Sequence, residues 1–73
     1  MKAVLLRNVK NGDYFTLTNK VKYNEDDEVL AKYVYIKREY DRSVRKYIVD
    51  KFSNINDWKL MKGDRIVYIN FRF

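Results

Sequence analysis

The sequence predicts an all-β domain, a small SH3-like barrel of five to six antiparallel strands with one short helical turn. Short runs rich in aromatic and β-branched residues recur along the chain, and turn signals separate them. The chain contains no proline, so every backbone N–H group after the first residue can donate to a β-ladder. An OB-like barrel is the alternative, although its expected helix between the third and fourth strands has no obvious segment here.

The first strands are predicted on either side of a tight turn. Residues 3–9 are mainly apolar and end before Asn11-Gly12, a dipeptide typical of two-residue hairpin loops. Residues 14–18 (YFTLT) follow as the second strand. Residues 19–28 are polar and lack a regular period, which predicts a loop with the acidic run at its tip.

The longest strand is predicted over residues 29–40, and residues 47–52 return antiparallel to it after a basic turn. The last strand is predicted over residues 66–73, where apolar and polar residues alternate. Its alternation places Val67, Ile69, Phe71 and Phe73 on one face.

The helical turn is predicted over residues 53–63, where the period changes. Ser53 or Asn54 can cap it, and Ile55, Trp58 and Met61 fall three residues apart. Gly63 then stands where a helix commonly ends. We expect this segment to plug an open end of the barrel, with Trp58 inside it.

Composition limits the chemistry of this single 73-residue domain, which spans residues 1–73. The absence of cysteine and histidine excludes disulfides, thiol chemistry and the commonest general base. Gly12 and Gly63 are the only glycines, so no glycine-rich phosphate loop is present. The sequence therefore predicts a protein that is not an enzyme and holds no metal or cofactor.

Charge predicts an anionic partner. Sixteen basic and ten acidic residues give a net charge of +6. Four of the acids are consecutive at residues 25–28, so the rest of the chain carries 16 − 6 = +10. No apolar stretch is long enough to span a bilayer and no signal peptide is evident, so we expect a cytoplasmic protein without a membrane partner. A homodimer would be one way to supplement so small a core.

The basic turn at residues 37–46 (KREYDRSVRK) is the main candidate site. Cations beside aromatic rings on a two-stranded ribbon are typical of surfaces that hold nucleic acid. The candidate residues are Lys37, Arg38, Tyr40, Arg42, Arg45, Lys46 and Tyr47, with Tyr35 on the adjoining sheet face. The alternative is a solvated hairpin in which Asp41 and Ser43 form the turn and the flanking tyrosines pack as a cross-strand pair.

Two further groups have both a functional and a structural interpretation. A row formed by Tyr33 and Tyr35, and extended by Tyr68 if that residue shares their face, could provide a stacking platform, or the rings could cover a thin core or form a dimer face. The acidic run at residues 25–28 lacks the spacing and the glycine of a calcium loop, which predicts a solvated loop.

Several segments resemble a family of short proteins carried by bacteriophages and mobile elements of gut bacteria. The similar segments are VKNGDYFTL (residues 9–17), EYDRS with the following KY (residues 39–43 and 46–47), KF with Asn56, and KGDRIVYINFRF (residues 62–73). The family usually has glycine where this chain has Arg38. The resemblance implies a phage-encoded accessory protein that acts in the host cytoplasm on nucleic acid, a nucleotide or a host protein.

Two functional hypotheses follow. The first is a module that binds nucleic acid or another anionic nucleotide ligand through the basic hairpin and a tyrosine-bearing sheet face. The second is a protein-interaction module or inhibitor that docks on a host defence or replication protein, with tyrosine and arginine as its main contacts.

Overall fold

The computed structural model describes residues 1–73 apart from the side chain of Ile55, and its fold is all-β. Two single-turn 3-10 helices span Leu6–Asn8 and Ala31–Tyr33. The strands are β1 (Lys2–Leu5), β2 (Tyr14–Thr16), β3 (Val34–Asp41), β4 (Lys46–Lys51), β5 (Asn54–Met61) and β6 (Ile66–Ile69). No helix among the described residues has the length and apolar content needed to cross a membrane.

The strands form one antiparallel sheet in the order β1-β6-β2-β3-β4-β5. The first and last strands of the chain are therefore neighbours, and β1 and β5 form the two ends of the sheet. The sheet is not closed between them, so closure into a barrel is not confirmed. The molecule is elongated, with principal extents of 42 × 25 × 17 Å.

The predicted hairpin between β1 and β2 is wrong, although the turn between them is present. Gly12 adopts a φ of +89°, and its N–H donates to the carbonyl of Lys37 over 2.7 Å. β1 instead pairs with β6, from Lys2 opposite Ile69 to Leu5 opposite Ile66. Because burial of Leu6 turns the chain inward directly after β1, the 3-10 turn separates the two strands before Asn11-Gly12 is reached.

The predicted helical turn over residues 53–63 is also wrong, because this segment forms β5 as an edge strand against β4. Met61 lies opposite Tyr47 and Leu60 lies opposite Ile48. The register jumps between the Asp50–Trp58 and Lys51–Asn54 pairs, so the start of β5 bulges away from β4. Pairing with the exposed edge of β4 outweighs the local helical period, as tertiary context commonly outweighs propensity. The predicted orientation of Ile55 lies outside the described residues.

The main cluster of buried apolar residues lies on one face of the sheet. Its buried members come from five strands or turns and include Leu6, Val9, Phe15, Val49, Met61 and Val67. Partly buried residues that pack against it include Val4, Leu17, Tyr35, Tyr47 and Ile69.

The opposite face of β2 and β3 is covered by the C-terminal segment. β6 ends at Ile69 because Asn70 adopts a φ of +63°, so the alternation predicted as far as Phe73 is interrupted. Phe73 instead packs on Tyr14, with ring centroids 4.7 Å apart. The N–H of the buried Val29 donates to the carbonyl of Arg72 over 2.6 Å, which fixes this segment against the long loop.

Candidate anion-binding cleft

The predicted hairpin is confirmed as β3 and β4, with Tyr40 opposite Tyr47 and Asp41 opposite Lys46. One carboxylate oxygen of Asp41 accepts the backbone N–H of Ser43 over 2.9 Å and its hydroxyl over 2.6 Å. The hydroxyl and backbone hydrogen bonds from Ser43 lower the pKa of Asp41 below its ordinary value. The assignment of both residues to the turn is therefore confirmed.

Tyr40 and Tyr47 form a cross-strand pair on the face that carries the core. Their ring centroids lie 4.8 Å apart with an interplanar angle of 62°, which is an edge-to-face contact. Tyr40 remains 45% exposed, whereas Tyr47 is partly buried. The structural interpretation of the pair is confirmed, and one of the two rings still faces solvent.

Lys37 does not lie on the hairpin surface as predicted, because its side chain is only 3% exposed. It lies opposite the buried Val49, so it points towards the core face. Its ammonium group donates to the carbonyls of Val9 and Arg7, the latter over 3.4 Å, and lies 4.2 Å from the centroid of the Tyr47 ring. Burial lowers the pKa of Lys37. Lys37 therefore stabilises the hairpin from its core face and is not exposed for contact with a ligand.

Arg38 lies on the opposite face of the hairpin. Between the Lys37–Val49 and Tyr40–Tyr47 pairs, β3 advances three residues while β4 advances two, which places a bulge beside Arg38. The Arg38 Nε donates to Asp50 Oδ2 over 2.7 Å, forming an ion pair. Because Asp50 and Val49 are adjacent on β4, they point to opposite faces, and Arg38 lies on the side away from the core.

Arg45 and Lys46 of the hairpin border a cleft of about 470 Å³, here called the basic cleft. Its described lining comprises Arg7, Tyr40, Val44, Arg45, Lys46, Tyr47, Lys62, Gly63 and Asp64. The lining contains four cations and one carboxylate, for a formal charge of 4 − 1 = +3. Arg42 is exposed at the tip of the turn and does not line the cleft.

Three segments that are distant in sequence meet at the basic cleft. The backbone N–H of Arg7 donates to the carbonyl of Gly63 over 2.9 Å, and that of Leu6 donates to Arg65 over the same distance. A Cβ atom on Gly63 would lie 2.9 Å from Tyr47 Cε2 and 3.2 Å from Arg7 Cβ. The absence of a side chain at Gly63 therefore allows the 3-10 turn, the hairpin and the loop before β6 to approach each other.

Sequence reasoning did not identify Arg7 and Lys62 as site residues. Arg7 is a single charge that interrupts an apolar run, and Lys62 precedes Gly63 in the segment that has a helical period. Their approach to the hairpin depends on the pairing of β1 with β6, which no local pattern specifies.

A shallower depression of about 250 Å³ adjoins the basic cleft. It shares Lys46, Lys62 and Asp64 with the cleft and adds Arg65, Leu60 and Met61. The cationic surface therefore continues past Lys62 towards Arg65 along the end of the hairpin.

Two residues of the predicted tyrosine row, Tyr35 and Tyr68, do not share a face, and the alternative in which the rings cover the core holds for Tyr35. Tyr35 stacks on the buried Phe15 with ring centroids 5.9 Å apart. Tyr68 lies opposite Thr16, which in turn lies opposite Val34, so it shares the face of Val34 and not that of Tyr35. Tyr35 therefore contributes to the core and does not belong to the candidate site.

Trp58 does not plug the sheet as predicted but is 57% exposed on the edge strand β5. Leu60 is 37% exposed on the same face, and their β4 partners are Asp50 and Ile48. We call Trp58, Leu60 and Ile48 the outer patch. It lies on the side of Asp50, and its member Leu60 also lines the depression that adjoins the basic cleft.

The acidic run closes a tight loop between Tyr23 and Val29, which form a β-bridge. The side-chain oxygen of Asn24 accepts the backbone N–H groups of Asp26 and Glu28 over 2.9 and 3.0 Å. Within the described part of the chain, no three acidic residues converge as a metal site would require.

Comparison of the chain with models of protein families, with curated proteins and with solved structures finds no match.

Proposed function

We propose that this chain binds nucleic acid or another anionic nucleotide ligand in the basic cleft. The observation that carries the proposal is the convergence of Arg7, Arg45, Lys46 and Lys62 beside the exposed ring of Tyr40. Cations from separate segments can contact successive phosphates, and an aromatic ring at the same site can stack on a base.

The distribution of charge around the cleft supports this function. Arg38 is neutralised by Asp50 on the far face, and Lys37 is buried beneath Tyr47. Among the described side chains, those at the cleft form no ion pair within 4.0 Å, so their charges are available to displace counterions from a polyanion.

The proposal is tested by the salt dependence of oligonucleotide binding, followed by fluorescence anisotropy. Each phosphate contact on a single strand contributes a slope of about −0.7 to the plot of log K against log salt. The double variant R45Q/K62Q should reduce the magnitude of the slope by about 1.4. The control K10Q/K20Q removes two exposed cations outside the basic cleft and should leave the slope nearly unchanged. The proposal would be contradicted by an affinity that does not change with salt concentration, or by an equal change of the slope in both variants.

A second candidate function is docking on a host protein through the outer patch. It is supported by the exposure of Trp58 and Leu60 on β5, whose outer edge pairs with no other strand among the described residues. Tryptophan is prominent among residues that dominate protein interfaces, and an open strand edge can accept a further strand. This function predicts that W58S abolishes co-purification of a stoichiometric partner from nuclease-treated host extract. Loss of the partner with R45Q/K62Q but not with W58S would contradict it.

We place the protein in a phage-type setting, as an accessory protein of the host cytoplasm, on the resemblance of its turn and C-terminal segments. We also propose that the sheet is a partly open SH3-like barrel. The pairing of β1 with β6 supports this description, because it brings the first and last strands of the chain side by side.

A further inference from the structure

The two tyrosines of the basic cleft differ in their availability to a ligand. The Lys37 ammonium lies against the Tyr47 ring, 4.2 Å from its centroid, and Gly63 approaches the edge of the same ring. Tyr47 is thus partly buried against protein atoms, whereas Tyr40 is 45% exposed. The cleft therefore offers one ring on which an unpaired base can stack.

The cations extend beyond the basic cleft into the depression that adjoins it. Arg7 and Arg45 line only the basic cleft. Lys46 and Lys62 line both the basic cleft and the adjoining depression, and Arg65 lines only that depression. Arg65 does not line the basic cleft, so a free nucleotide held within the cleft alone would leave this cation unused. A nucleic-acid strand that passes from the basic cleft into the adjoining depression would bring successive phosphates to Lys46, Lys62 and Arg65.

We propose that the ligand is single-stranded nucleic acid, held with one base on Tyr40 and its phosphates along Lys46, Lys62 and Arg65. This inference rests on the proposed function and narrows it. In a duplex, each internal base is already stacked on both sides, so no base face is available to Tyr40. Backbone contact and stacking are features common to all sequences, so binding should depend little on base identity.

The test compares three ligands of matched phosphate concentration at low salt. The first is a labelled single strand of about 12 nucleotides, the second is a hairpin duplex of the same length, and the third is a mononucleotide competitor. We expect the single strand to bind at least about tenfold more tightly than the duplex, which lacks the stacking contribution. We also expect the mononucleotide to compete poorly.

Variants of Tyr40 test the stacking contact itself. Y40L should lower the affinity for the single strand about tenfold and leave the salt slope unchanged, whereas Y40F should bind normally. Y23L removes another exposed tyrosine, outside the lining of the basic cleft, and should have no effect. Thermal unfolding checks that Y40L is folded. In the unsubstituted protein, upfield shifts of the Tyr40 ring protons on addition of the single strand provide a measurement that needs no variant.

The outcomes separate this inference from the function on which it rests. Equal, salt-dependent binding of duplex and single strand would overturn the inference and leave nucleic-acid binding intact. Mononucleotide competition at equal phosphate concentration would overturn it in favour of a free nucleotide. Failure of all three ligands to bind would overturn the proposed function as well.

Discussion

The ammonium group of Lys37 lies 4.2 Å from the centroid of the Tyr47 ring and donates to the carbonyls of Arg7 and Val9. One buried side chain thus joins the first 3-10 turn to the hairpin. Arg7 and Tyr47 both line the basic cleft. The contacts of Lys37 therefore fix the positions of these two residues relative to each other.

Replacement of Lys37 by methionine should lower the free energy of unfolding by about 1–2 kcal/mol, measured by urea denaturation. The substitution removes the cost of burying an ammonium group, but it leaves the buried carbonyl of Val9 without its donor. K32M is the matched control, because Lys32 is exposed and lies over Tyr33 at 5.2 Å. Its effect should be within about 0.5 kcal/mol. Equal stability of K37M and the unsubstituted protein would contradict the supporting role of Lys37.

Replacement of Gly63 by alanine should damage the basic cleft by steric overlap. The new methyl group would meet Tyr47 Cε2 at 2.9 Å, so the ring or the loop must move, at a cost of about 1–3 kcal/mol. In G12A the new methyl group meets no described atom within 4 Å, but alanine is strained at the φ of +89° that Gly12 adopts. We therefore expect a similar loss of stability. Both variants should lose stability in thermal unfolding, but only G63A should weaken oligonucleotide binding. Equal loss of binding in both would contradict the assigned position of Gly63.

The local chemistry of the hairpin could be predicted from the sequence, and its surroundings could not. Asp41 and Ser43 form the turn through contacts within two residues, which the sequence pattern specifies directly. The burial of Lys37 depends on the 3-10 turn, about thirty residues earlier in the chain, whose carbonyls it satisfies.

The difference between local and non-local contacts also explains why the helical turn predicted over residues 53–63 is wrong and why the sequence does not indicate two of the site residues. The spacing of Trp58 and Met61 fits a helical period, but the free edge of β4 recruits the segment as a strand. Arg7 and Lys62 reach the cleft through pairing between the two ends of the chain. Such non-local pairing leaves no local signal in one sequence.

Arg38 should contribute little to either stability or ligand binding. Its ion pair with Asp50 involves a side chain that is 47% exposed, so R38Q should cost less than about 1 kcal/mol. Because Arg38 lies on the face opposite the basic cleft, the salt slope of oligonucleotide binding should remain unchanged. A slope reduced as strongly by R38Q as by R45Q would show that the ligand contacts the other face.

Acidification should loosen the hairpin turn through Asp41. Its folded pKa is held below the ordinary value of 3.8 by hydrogen bonds from Ser43, so the unfolded chain binds the proton more readily. The stabilising contribution is complete above pH 3.8 and is lost as the pH falls through the lower folded pKa. The Ser43 amide resonance should shift in that range. In D41N the amide oxygen can still accept the hydrogen bonds, but the titration should disappear; a persistent titration would assign it to another carboxyl group.

The most direct test of the binding site is a map of backbone amide shifts during titration with a single-stranded oligonucleotide. We predict that the largest shifts occur at Arg7, at residues 45–47 and at residues 62–65, with little change at Tyr23 or Trp58. Shifts centred on Trp58 and Ile48, or an unchanged spectrum at low salt, would contradict the assignment of the basic cleft as the site where this protein binds nucleic acid.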